Sequence, residues 1–166
     1  MITLTLFLIL VALASSTSFT LAGNSVSPDT AKSSASAYTF NFNTVSSFTQ
    51  NFDLQIAFPN SSYAITSVAN CVFSINGGVK SGAVCTADSN TNRITFTNLN
   101  IVESITSMDV QFESSTAEYA GSETIVFYYY DPGTGSQITS LINYVSVTTT
   151  NADLTITLAS TSDIVG

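Results

Sequence analysis

Residues 108–113 read MDVQFE, with Met108, Val110 and Phe112 alternating against Asp109, Gln111 and Glu113. A period of two sends successive side chains to opposite faces of an extended chain, so this stretch predicts a strand with one face on a core and one in water. The same period runs outward in both directions. Tyr38, Phe40 and Phe42 alternate with Thr39, Asn41 and Asn43. Phe52, Leu54, Ile56 and Phe58 alternate with Asp53, Gln55 and Ala57 up to Pro59, which cannot donate to a ladder and so ends the strand. Cys71, Phe73 and Ile75 repeat the pattern, as do Ile94 and Phe96. Two later runs, IVFYYY at 125–130 and YVSVTTT at 144–150, lack a polar face. They predict central strands covered on both sides or leaning on a neighbour.

Turn-forming clusters separate these runs: PNSS at 59–62, NGG at 76–78, DSNTN at 88–92 and DPGTG at 131–135. No amphipathic helical period follows the first residues. Short strands without intervening helices predict two antiparallel sheets that bury their apolar faces against each other. The expected fold is all-β, an Ig-like antiparallel β-sandwich of about 7 to 9 strands, with a jelly roll as the second choice. The Trp found on strand C of antibody domains is absent, which argues against that branch alone.

The chain has 166 residues, 45% of them hydrophobic and only 8% charged, and 11 acids against 3 bases give a formal net charge of −8. Nucleic acid is excluded as a partner, because a phosphate-binding surface needs clustered Lys and Arg and this chain has only Lys32, Lys80 and Arg93, far apart in sequence. The absence of His removes the usual acid–base group and the commonest ligand of zinc and copper. No G-x-S-x-G nucleophile motif or glycine-rich phosphate loop is present. The expectation is a non-enzyme with no cofactor and no metal.

Residues 1–18 begin MITLTLFLILVALA and continue into small polar residues. The apolar run is shorter than the roughly 20 residues that span a bilayer, and Ala12-Leu13-Ala14 fits a small-x-small cleavage site. A signal peptide cleaved after Ala14 or Ser18 is expected, although its n-region lacks Lys and Arg; the alternative is a retained hydrophobic helix of the kind that packs in the centre of pilin-like filaments. No membrane span is expected once the leader is removed. Residues 19–36 read as a linker or first edge strand, with the compact core beginning near Ala37. The sandwich is expected over 37–159, and 160–166 as a tail or the start of a following repeat. Thr157-Leu158-Ala159 echoes Thr20-Leu21-Ala22, a one-domain spacing; in a chain so rich in Ser, Thr and Ala, coincidence explains it equally well.

Cys71 and Cys85 are the only cysteines, set on either side of the NGG turn so that they can face each other on a hairpin. A disulfide there points to an oxidising compartment; the alternative is a pair of buried thiols acting as small hydrophobes. Asn60-Ser61-Ser62 is an N-glycosylation sequon at a strand end, a pattern that also arises by chance in such a chain. Asp88-Ser89-Asn90-Thr91-Asn92 begins like a calcium loop but puts Arg93 where Gly is needed and Leu99 where a bidentate Glu should sit, so it reads as an Asx-rich hairpin turn. Glu113, Glu118, Glu123 and Asp131 are the remaining candidates for an irregular calcium site. Tyr129 and Tyr130 are candidate ligand contacts for carbohydrate or protein. As neighbours on a strand they must face opposite ways, so at least one is expected in the core.

YTFNFNT, the strand ending IAFPNSSY, the Cys71–Cys85 spacing, ITFTNL and the late FYYYDPGTGSQI followed by VSVTTTNADLT together resemble the Ig-like units repeated in very large ciliate-type surface proteins. The likeness covers about residues 20–166. It implies an extracellular or cell-surface structural unit, usually one of many, with glycans and without an assigned catalytic residue. The function expected is therefore a secreted or cell-surface structural or adhesive module whose partners are other copies of itself, other surface proteins or glycans. The alternatives are a carbohydrate-binding module and a pilin-like filament subunit.

Overall fold

The computed structural model describes residues 19–151. The leader at 1–18, the echo at 157–159 and the tail at 160–166 lie outside the described residues. Within them are ten strands: β1 (Phe19–Ser27), β2 (Ser36–Phe48), β3 (Asp53–Ala57), β4 (Ala69–Ile75), β5 (Gly78–Val79), β6 (Val84–Asp88), β7 (Arg93–Thr97), β8 (Ile105–Ser114), β9 (Gly121–Tyr130) and β10 (Gln137–Thr149). They form two five-stranded sheets, ordered β1-β2-β8-β4-β5 and β10-β9-β3-β7-β6, and every named pairing is antiparallel. This is the Ig-like two-sheet sandwich expected from the alternation. It has one strand more than the upper bound because NGG forms a hairpin with the two-residue β5.

Register carries the alternation across the sheets. Phe112 lies opposite Tyr38, Val110 opposite both Phe40 and Phe73, and Met108 opposite both Phe42 and Ile75, so three strands offer one continuous apolar face. In the second sheet Ile56 is flanked by Ile94 and Phe127, and Leu54 by Phe96 and Tyr129. All of these side chains are buried, and the two faces interlock through aromatic rings. Phe127 sits edge-on to Phe40 and Phe42 at 5.0 and 5.1 Å, while Tyr38 stacks on Phe112 at 5.0 Å. Each buried ring contributes about 1.5–3 kcal/mol through the water it sheds, and close ring pairs add roughly 0.5–1.5 kcal/mol.

The core reaches back beyond Ala37. Segment 19–27 is the edge strand β1, and Phe19 is buried, stacked on Tyr129 at 5.1 Å. β10 departs from expectation in its place alone: YVSVTTT lies in an edge strand, not a central one, and leans on a neighbour as foreseen. It leans on β1 of the other sheet, which accounts for its apolar inner residues. Asn24 Nδ2 donates to the Ser146 carbonyl at 2.9 Å, Asn143 Nδ2 donates to the Phe19 carbonyl at 2.6 Å, and Thr30 and Thr150 form a parallel bridge. One open side of the sandwich is thereby seamed by side-chain amides. IVFYYY, in contrast, does form the central strand β9, between β10 and β3.

The cysteines are joined, but not across a hairpin. Cys71 is in β4 of the first sheet and Cys85 in β6 of the second, with Cα atoms 6.4 Å apart, so the disulfide pins the two sheets together along the other open side. The NGG turn explains the difference. Asn76 and Gly77 have φ of 50° and 78°, the pair of positive values that a type I′ turn requires, and the chain returns only as the short β5 before crossing to β6.

Candidate functional site: the outer face of the second sheet

Side chains that alternate away from the core give this sheet its outer face. β9 contributes Val126, Tyr128 and Tyr130, β3 contributes Asp53, Gln55 and Ala57, and β7 contributes Arg93, Thr95 and Thr97, all half-buried; β10 adds Ile142 and Tyr144. Pairing aligns Ile142, Tyr128, Gln55 and Thr95 in one row, with Tyr130 beside Asp53 in the next. Gln55 is the hub. Its Oε1 accepts from Arg93 Nη1 and from the Tyr130 hydroxyl, the latter at 3.3 Å. The Arg93 guanidinium lies over the Tyr128 ring, 5.8 Å from its centroid, within cation–π range. Tyr144, 71% exposed, is the most solvent-accessible ring of this face.

At the Tyr130 end the face dips into a shallow recess of about 210 Å³ lined by Asp53, Gln55, Thr95, Tyr130, Asp131, Pro132 and Gly135. The DPGTG turn builds its rim. Asp131 Oδ1 accepts from the backbone N–H of Gly133 at 2.7 Å and of Thr134 at 3.3 Å, and Gly135 takes a φ of 67° that suits a residue without Cβ. Partial desolvation of Asp53 raises its pKa, and a hydrogen bond from the Asn98 backbone opposes that rise.

Tyr129 and Tyr130 point to opposite faces, as alternation requires. Tyr129 is wholly buried, its hydroxyl donates to Asn143 Oδ1 at 2.8 Å, and desolvation pushes its pKa well up. It therefore has no surface to offer a ligand, and of the two candidates only Tyr130 faces outward. Asn60 is exposed in the turn after β3, and the sequon hydroxyl of Ser62 donates to Glu123 Oε1.

The DSNTN loop is the Asx turn between β6 and β7. Asp88 Oδ1 accepts from Asn90 N–H at 2.9 Å and Oδ2 from the Thr91 hydroxyl at 2.8 Å. Asn92, at φ 50°, is buried and pins a separate segment, accepting from Ile65 N–H at 3.0 Å and donating to the Tyr63 carbonyl at 2.7 Å. The four acids considered for an irregular calcium site do not converge. Glu123 lies near the start of β9 and Asp131 just past its end, about 27 Å away at strand rise. Among the described residues no group of three or more His, Cys, Asp or Glu is placed to hold a metal ion. Among them, too, no helix is long and apolar enough to cross a membrane.

A larger recess of about 340 Å³ lies at the opposite end, lined by Lys32, Ser33, Ser34, Ala64, Ser115, Thr116 and Glu118. Thr116 and Ser115 in its lining serve the fold. Thr116 Oγ1 accepts from Ser33 N–H at 2.8 Å and donates to the Thr30 carbonyl at 2.7 Å, and the Ser115 hydroxyl donates to the Ala64 carbonyl at 3.0 Å. Nearby, Tyr63 has a buried hydroxyl without a hydrogen-bond partner among the described residues. Desolvation, the largest cause, pushes its pKa up to about 12.

Asp53, Gln55, Arg93 and Thr95 were visible in the sequence only as the polar phase of alternating strands. Their assembly depends on β3 lying between β7 and β9, which no local pattern encodes.

No family model matches the chain, and no curated protein matches it. Among solved structures it is similar to BslA, described as a bacterial hydrophobin, at 11% identity over 79% of this chain and 97% of that one, with a TM-score of 0.42. It is similar also to the collagen-binding domain of a Staphylococcus aureus adhesin, at 12% identity over 69% and 88% of the two chains, with a TM-score of 0.41. Domains D2 and D3 of the major pilin SpaD from Corynebacterium diphtheriae align at 14% identity over 78% of this chain, with a TM-score of 0.43; the chain spans about half of that structure, 49%. These likenesses assign no role to any residue of this chain.

Proposed function

We propose that the protein is an extracellular structural or adhesive module, a rigid sandwich that spaces or presents contact surfaces within a cell-surface or secreted assembly. The observation that carries this reading is the Cys71–Cys85 disulfide between the two sheets. Disulfides persist in oxidising compartments, so the bond supports a location outside the cytosol. Rigidity follows from the same bond together with the amide seam at β1 and β10. The reading gives the protein no catalytic residue, and its partners are copies of itself, other surface proteins or glycans. That it is one unit of a repeated array, as the likeness to ciliate-type surface units implies, belongs to the same proposal.

Expression of the full chain in a eukaryotic secretory host tests it. The protein is expected in the medium, with a glycan at Asn60 if the sequon is used, and beads coated with it are expected to adhere to each other or to source cells more than beads coated with albumin. Retention inside the cell, or coated beads that behave like the albumin control, would overturn the reading.

A further inference from the structure

The recess beside Tyr130 brings two carboxylates to one aromatic ring. It sets the half-buried Tyr130 ring and Pro132 against the Asp53 and Asp131 carboxylates, with the Gln55 amide and Thr95 hydroxyl between them. Asp131 uses Oδ1 to hold its own turn, which leaves Oδ2 as an acceptor not engaged in those bonds. Gln55 Oε1 is occupied by Arg93 and Tyr130, which leaves the Gln55 NH₂ as a donor. Arg93, bonded to Gln55 Oε1 and lying over Tyr128, borders the recess without being among the residues that line it.

A ligand that fits this lining has a flat apolar face for the ring, several hydroxyl donors for the carboxylates and some acceptors for the amide. An anion is disfavoured by two carboxylates on a chain of net charge −8. An ammonium ion would be best held by several aromatic faces wrapped around it, whereas here one ring forms a single wall. We propose that this recess binds a neutral hexopyranose unit of a glycan, with the C–H face of the sugar on Tyr130 and adjacent hydroxyls on Asp53 and Asp131. The proposal rests on the adhesive reading above, to which it adds the ligand class.

The test is an array printed with neutral, sialylated and sulfated oligosaccharides and with lysine-rich peptides, probed with the secreted protein and followed by titration of the best binder. Neutral glycans are expected to bind and anionic ones to fail. Tyr130→Ala and Asp53→Asn should each weaken binding about tenfold or more, because one removes the stacking wall and the other a charged acceptor. Tyr130→Phe should stay within about threefold, since the lost hydroxyl is engaged with Gln55 rather than the sugar. Tyr144→Ala, on the same face but outside the recess, should leave affinity unchanged. Thermal melts of all four variants separate lost binding from lost folding. The proposal is overturned if no neutral glycan binds, if anionic glycans or lysine peptides bind as well or better, or if binding survives both Tyr130→Ala and Asp53→Asn. A protein that is exported and coats beads adhesively yet ignores every glycan would defeat this proposal alone, whereas retention in the cytosol would defeat the reading beneath it.

Discussion

Removing the Cys71–Cys85 bond should weaken the sandwich by an amount that its geometry sets. The bond closes a loop with a sequence separation of 14. In the chain-entropy description a loop of that size restricts the unfolded chain enough to contribute about 3 kcal/mol. Both cysteines are half-buried at the margin of the core, so Cys71→Ala/Cys85→Ala loses less packing than a change at a fully buried side chain would. For a domain of this length that energy corresponds to a fall in Tm of roughly 10 °C. The loss should be local in character. The β4 register shifts between Ala69 and Val72, and Asn70 sits at φ 49°, so this end of the strand is weakly held by its ladder and depends on the disulfide. Near-UV circular dichroism during thermal unfolding measures the double variant and the reduced wild type. Both should remain folded and cooperative, with faster amide exchange at 70–72 and 84–88 than at Phe40 or Phe127. A fall of less than about 3 °C in both samples, or loss of cooperative folding, would refute this account of the bond.

Phe112 packs against Tyr38 at 5.0 Å, Phe40 at 6.1 Å and Phe96 at 6.2 Å, and Phe112→Ala should cost about 3–5 kcal/mol by urea denaturation, with a cost near zero contradicting the core described. The Asn76 side chain accepts from Thr106 N–H at 2.8 Å and Ser107 N–H at 3.1 Å and donates to the Ser104 carbonyl at 2.6 Å, besides holding a positive φ. Asn76→Ala should therefore destabilise by about 1–3 kcal/mol, while Asn76→Gly recovers part of the loss by tolerating the backbone angle. Burial raises the Tyr63 pKa from 10.0 to about 12 and raises that of Tyr38 further. A pKa raised in the folded state means that stability from these phenols is fully present below pH 10, the unfolded value, and is lost as pH rises through the folded value. Unfolding free energy measured across this alkaline window should fall steeply and Tyr63→Phe should flatten the fall, whereas equal slopes would show that Tyr63 plays no part.

The faces of the strands were legible because alternation is a local property: Phe52 to Phe58 and Met108 to Phe112 name their buried side without reference to any partner. Strand order was not, because it depends on pairings between residues far apart in sequence. YVSVTTT carries the same residue types as a central strand, and only its lean against β1, through Asn24 and Asn143, shows why an edge strand needs them. The cysteine pair could be identified from a count of two, yet joining two sheets instead of one hairpin depends on the crossover from β5 to β6. For the candidate site, adjacent tyrosines had to face apart, but which one faces out is fixed by Leu54 meeting Tyr129 across the ladder. Asp53 and Asp131 were ordinary acids until Tyr130 paired with Asp53 and brought the turn beside it.

A disulfide holds the two sheets of the sandwich together, and the proposed function places that sandwich outside the cell. Intact mass of the protein recovered from the medium, alkylated before and after reduction, tests it most directly. The account predicts exported protein that takes up two alkyl groups only after reduction. Protein found only inside the cell, or fully alkylated in its native state without reductant, would contradict it.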